Sequence, residues 1–262
     1  MVLNESVKTA PPADTTLEET VRLSLDIGMR MLTCGAEISR VEDSIERICT
    51  ALGAAQTHVF SVTAGIIVTA LDENGCSATQ LRRIRTEKFD MTRLEQLNQL
   101  SRDLCAGKLG ADAARERLSA IDGQKIYPLW LLLLAYAGIS ASLSVFFGAN
   151  AGDAAAAAVT GALLCLWERL LGRLHLARVF TTFLLSLLAG LCNVLLVKVG
   201  LGAHFDAICI GNIMLLIPGI AMTNAVHDMF VGDMISGISR FFQSLVIAFI
   251  VTFGFTVAGM WI

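Results

Sequence analysis

The sequence predicts an α-helical multi-pass membrane protein with five transmembrane helices and a small N-terminal α+β cytosolic domain. Three observations carry that prediction. Hydrophobic residues make up 55% of the 262 positions, and the mean hydropathy is +0.65, more apolar than soluble domains of this length. The charge is uneven: 33 of the 43 Lys, Arg, Asp and Glu residues lie within 1–128. The remainder holds five long apolar segments. Residues 1–16 therefore read as a disordered tail, 17–128 as the cytosolic domain and 129–262 as the transmembrane domain.

The tail carries Glu5, Lys8, Pro11, Pro12 and Asp14 with no apolar run. It does not read as a signal peptide, so the polar domain is expected in the cytosol. The seven cysteines are dispersed without C-x-x-C spacing, which suits a reducing compartment or a membrane interior.

Within the polar part, Leu17, Val21, Leu25, Met29 and Leu32 recur at helical spacing, as do Ile38, Val41, Ile45, Ile48 and Leu52. Gly35 separates the two helices and Gly53 is a plausible stop. Asp43 and Arg47 are one turn apart and can pair on the wet face. Phe60, Val62, Ile66, Val68 and Ala70 alternate as one strand would. Asn74-Gly75 supplies a hairpin turn, with 77–84 as the returning strand. Residues 92–107 and 112–121 read as helices.

The apolar part begins with 129–147, nineteen residues without a charge, nearly enough to cross a hydrocarbon core of ~30 Å at about 1.5 Å per residue. The second span is 154–167, extending toward Leu171. The third is 179–197, the fourth 205–226 with an interruption at Pro218-Gly219, and the fifth 241–261. Backbone groups in lipid must be satisfied internally, so all five should be helices. Loop 168–178 carries Arg169, Arg173 and Arg178, and loop 227–240 carries Arg240. Loop 148–153 carries no basic residue and loop 198–205 only Lys198. Basic loops favour the cytosolic side, which again puts the N-terminus inside.

The stretch "LLIPGIAMTNAVHDMFVGDMISGISRFFQSL" holds the polar residues of most interest. Pro218 removes one helical hydrogen bond and Gly219 loosens the backbone beside it, a kind of break that forms substrate sites in transporters. Asn224 and Asp228 share one helical face, Thr223 and His227 the adjacent one, and Ser236, Arg240 and Ser244 form a polar stripe. Ionisable groups near lipid normally face a bundle interior or a wet cavity.

This stretch, continued to "SLVIA", resembles the signature of the threonine/serine exporter family. Pro218, Gly219, Asn224, Ala225, Asp228, Gly232, Asp233, Ser236, Gly237 and Arg240 match in order. "GAEISRVEDSIERICTALG" is similar to the family's N-terminal helix through Gly35, Arg40, Val41, Glu42 and Gly53, and "TAGIIVT" to the strand that follows. The resemblance covers about residues 17–262. It implies export of small polar metabolites across the bacterial plasma membrane. Long family members join two membrane halves, about ten spans together, whereas five spans resemble the larger half of a split version. The resemblance then implies a partner, a small membrane subunit of four to five spans, and transporters that hold substrate between two bundles are compatible with such a split. Split pairs of this type are linked with succinate, a dicarboxylate.

In that reading Arg240, with His227, attracts the substrate carboxylate. Asp228 and Asp233 carry a coupling proton or bind an amino group. Asn224 and the opened backbone at Pro218 and Gly219 complete the site. Glu42 reads as a structural residue. Contact with membrane lipid is expected, and "LRRIRTEK" (81–88) reads as a solvated strand end that could meet anionic headgroups. A pI of 5.8 argues against nucleic acid. No cofactor is expected, and since no P-loop, G-x-S-x-G or H-E-x-x-H occurs, ATP-driven pumping by this chain is not expected either. His58, His175 and His204 are isolated and lack metal spacing. The alternative is a membrane-tethered hydrolase acting through the N-terminal domain, with Cys34 or Ser61 as nucleophile near His58.

Overall fold

The computed structural model describes residues 16–85, 88–124, 127–174 and 176–261. The expected tail lies outside the described residues except for Thr16, whose hydroxyl accepts the Glu19 N–H and caps the first helix. His175 also lies outside them.

In chain order, α1 (Leu17–Thr33) and α2 (Ile38–Ala51) precede β1 (Gln56–Val62), β2 (Gly65–Leu71) and β3 (Ser77–Arg83), and α3 (Met91–Cys105) and α4 (Ala111–Gly123) follow. The apolar part supplies α5 (Leu129–Phe146), α6 (Ala151–Leu171), α7 (Arg178–Lys198), α8 (Phe205–Leu216), α9 (Gly219–Val231) and α10 (Met234–Gly259). Among the described residues, four helices are long and apolar enough to cross a membrane, or five spans result if the bent pair α8 and α9 counts as one. The chain divides into two compact units. One comprises Met1–Gln124 with Thr223–Arg240, the other Lys125–Met222 with Phe241–Ile262.

In the first unit the strands form an antiparallel sheet ordered β1-β2-β3. Ile66, Val68 and Ala70 of β2 are fully buried, with Val21, Leu25, Ile38, Val41 and Ile45 of the two first helices in the same core. The opposite face is open, as in antiparallel sheets covered on one side. The single strand expected over Phe60–Ala70 is two strands. Val62 pairs with Gly65 across a two-residue turn, and such a turn reverses which parity faces the core. Phe60 therefore pairs with Ile67 on the open face, and the two are 57% and 39% exposed. Asp43 and Arg47 pair at 2.8 Å on the exposed side of α2.

In the second unit small residues let helices approach. A Cβ on Gly161 would strike Ser140 and the Tyr136 carbonyl of α5, and one on Gly211 would strike the Ser140 carbonyl. Glycines are enriched at such interfaces because they allow close backbone packing. α10 begins at Met234, seven residues before the expected Phe241. Hydropathy marks the apolar stretch, whereas the helix continues through the polar residues that precede it.

Candidate functional site

Pro218 and Gly219 lie in the second unit, and Asn224, His227, Asp228, Asp233 and Arg240 in the first. At the break, Ile217 is extended (φ −69°, ψ 130°), the conformation a following proline imposes. α9 restarts with the Met222 N–H donating to the Pro218 carbonyl at 3.0 Å, and α8 and α9 are bent by 57°. Gly219 is exposed, and a Cβ there would meet nothing within 4 Å. Packing does not require that glycine.

A tight turn sends the chain from α9 into α10. The Asp233 N–H donates to the Asp228 carbonyl (2.9 Å) and the Gly232 N–H to the Met229 carbonyl (3.3 Å). This is a Schellman cap, in which a left-handed residue closes the helix, and Gly232 supplies the φ of 110°. The returning α10 then lies against α9 through Gly237, where a Cβ would sit 2.8 Å from the Ala225 carbonyl oxygen and 2.9 Å from the Met229 nitrogen. The Gly-Asp and Ser-Gly pairs of the motif thus build a close helical hairpin.

Inside that hairpin Arg240 Nη1 donates to Asp228 Oδ2 at 2.8 Å, with the two side chains 2% and 1% exposed. A desolvated charge survives only when paired and hydrogen-bonded. The Asp228 carboxylate also lies beside the N–H of Ile38 in the first turn of α2, where a helix leaves N–H groups unsatisfied and carries partial positive charge. Its Oδ1 makes no full hydrogen bond among the described residues. Ser236 is buried on the same face of α10 as Arg240.

The connection between α1 and α2 holds the other site residues. Asn224 Nδ2 donates to the Gly35 carbonyl at 2.9 Å. Gly35 has φ 100° and no room for a side chain, because a Cβ would strike the Phe89 ring. His227 Nδ1 lies 3.7 Å from Glu37 Oε2, both partly exposed. Glu42 accepts the Ser61 N–H at 2.6 Å, tying α2 to β1. Burial pushes its carboxyl above the usual carboxylate range; the Ser61 N–H opposes the rise, and the negative charge of Asp233 adds to it. The two family-like stretches, around Gly35–Glu42 and Asn224–Arg240, therefore meet in one cluster.

The second unit holds a buried polar chain that the sequence reading passed over. Ser140 donates to Asn212 Oδ1 (2.9 Å), Asn212 Nδ2 to Asn193 Oδ1 (3.2 Å) and Asn193 Nδ2 to Cys209 Sγ (3.3 Å). Ser140, Asn193 and Asn212 are each 0% exposed. Amides inside otherwise apolar spans were the available signal. His204 is not isolated. Its Nδ1 lies 2.8 Å from Asp153 Oδ2, and the buried Asp153 also accepts the N–H groups of Ala203 and His204.

Among the described residues, the nucleophiles and base named for the hydrolase alternative do not form a hydrogen-bonded pair. His58 and Ser61 are three apart on β1, so they point to opposite faces; His58 is exposed and Ser61 is 4% exposed. Burial, followed by the charge of Asp90, pushes the Cys34 thiol up, away from the reactive thiolate. No group of His, Cys, Asp or Glu among the described residues is arranged to hold a metal ion.

Comparison with known proteins gives two kinds of match. Residues 22–261 match the family model described as "Putative threonine/serine exporter". The chain is 26% identical over 236 residues to "Probable threonine/serine exporter" of Mycobacterium tuberculosis (strain ATCC 25618 / H37Rv), covering 86% of this chain and 43% of that protein. It is 25% identical over 223 residues to "Probable succinate transporter subunit YjjP" of Escherichia coli (strain K12), covering 84% of this chain and 85% of that one. The chain thus spans less than half of the first relative. No solved structure matches it.

Proposed function

The chain belongs to the threonine/serine exporter family, and from that premise we propose that it is a subunit of a secondary transporter exporting small polar metabolites, either a dicarboxylate such as succinate or threonine and serine, across the bacterial plasma membrane. The observation that supports this best is the buried Asp228–Arg240 pair. A substrate carboxylate offers Arg240 the same chemistry as Asp228. If the substrate takes that guanidinium, Asp228 is left buried without its counter-charge, and protonation relieves it. Substrate and proton then exchange at one pair of side chains. His227 assists Arg240, and Asp233 receives a proton or an amino group. Asn224 and the break at Pro218 and Gly219 complete the binding set.

In this reading 17–128 is a cytosolic domain, 129–262 is the membrane domain, and the N-terminus is inside. Arg169, Arg173 and Arg178 support that orientation by the basic-loop rule. The second wall comes from a small membrane subunit of about four to five spans, giving a hetero-oligomer with substrate between two bundles. The name of the Escherichia coli relative, a transporter subunit, supports a multi-subunit assembly.

The test is metabolite release. Cells producing this chain with its small partner should export loaded succinate, threonine or serine faster than cells producing neither. Equal release of all three from both would exclude the proposal.

A further inference from the structure

The first unit contains a cavity of about 450 Å³ between the end of α1, the end of β3, α3 and α4. It shares no residue with the Asp228–Arg240 cluster. Among the described residues, four arginines line it, Arg30, Arg83, Arg85 and Arg93, against one carboxylate, Asp122. That carboxylate is already engaged by Arg30, whose Nε and Nη2 both reach it within 3.1 Å. Arg93 Nη2 donates to the Gln124 carbonyl at 3.1 Å, while its buried Nε lies 3.4 Å from Asp90 Oδ2 without hydrogen-bond geometry among the described residues. Arg83 and Arg85 are exposed at the cavity. The rest of the lining is mainly apolar and includes Met29, Leu97 and Ile121.

We propose that this cavity binds a small multivalent anion carrying carboxylate or phosphate groups, held by Arg83, Arg85 and Arg93 over the apolar floor. The volume falls within the range of ordinary small-ligand pockets, ~300–1,000 Å³. Guanidinium forks match carboxylate and phosphate oxygens, and such charge-assisted bonds are the stronger kind. An anion supplies acceptors for Arg83, Arg85 and the buried Arg93 Nε together. Cys34, which lines the cavity, immediately precedes Gly35, whose carbonyl tethers Asn224. The ligand therefore sits one residue from that tether.

The experiment is calorimetric titration of the purified full chain in detergent with citrate, pyrophosphate and adenosine monophosphate, each against sodium chloride of matched ionic strength. Saturable binding of at least one probe is expected. The Arg83→Gln/Arg85→Gln variant, changed only at exposed positions, should keep its ligand-free melting temperature and lose about tenfold or more in affinity. In a second arm, displacement of the probe by phosphatidylglycerol vesicles from the wild type but not the variant would place an anionic headgroup on the same arginines. No saturable binding by any probe or by those vesicles, or equal affinity in the variant, would overturn the proposal.

Discussion

Asn224 of α9 donates its side-chain amide to the main-chain carbonyl of Gly35, 189 positions earlier. That bond joins two stretches that composition assigns to different parts of the molecule. Gly35 is buried, so removing the donor leaves its carbonyl without this partner. Asn224→Ala should destabilise the first unit by about 1–3 kcal/mol. Thermal melting and limited proteolysis between Thr33 and Ile38 would report it. An unchanged melt with unchanged protection would show that the bond contributes nothing.

The Gly237 contact predicts a sharp difference between two glycines. Gly237→Ala would push a methyl group into the Ala225 carbonyl and the Met229 nitrogen, rigid atoms that cannot rotate away. A loss of about 1–3 kcal/mol is expected, the usual range for overpacking. Gly219→Ala meets open space and should fold as well as the wild type or better, by about 0.5–1 kcal/mol. Comparing the melting temperatures of the two variants checks both. Equal melting temperatures would contradict the packing argument.

Much of the fold could be read from periodicity, because helices with one apolar stripe advertise it every three or four residues. The hairpin at Thr63-Ala64 could not, since alternation runs through a two-residue turn while the faces exchange. The charged residues of the cluster stand out in the sequence as misfits among apolar neighbours. Most of what they touch does not. Asn224 bonds a carbonyl, which every residue possesses, and Asp228 lies beside a helix N-terminus contributed by backbone alone. Asn193 and Asn212 lie in different spans, 19 positions apart, and only the folded bundle brings their side chains within 3.2 Å.

Glu42 gives a pH-dependent test. Its carboxyl is raised by burial, partly opposed by the Ser61 N–H, so the folded form holds its proton more tightly than the unfolded chain. Stability from this residue is greatest below the ordinary carboxylate range and is lost as pH rises through the raised folded value. Glu42→Gln keeps an oxygen for the Ser61 N–H but cannot ionise. Relative to the wild type, it should melt progressively higher as pH is taken from 4 to about 7. A difference that does not vary with pH would contradict the assignment.

The central claim is that the Asp228–Arg240 pair serves transport as well as folding, and a double-substitution cycle tests it most directly. Asp228→Asn and Arg240→Gln each strand a buried charge, so each alone should lose about 3–5 kcal/mol, whereas the double variant should recover much of that loss. Export, measured per amount of protein in the membrane with the small partner present, should be absent in all three. A double variant that is stably folded and exports at the wild-type rate would contradict the account.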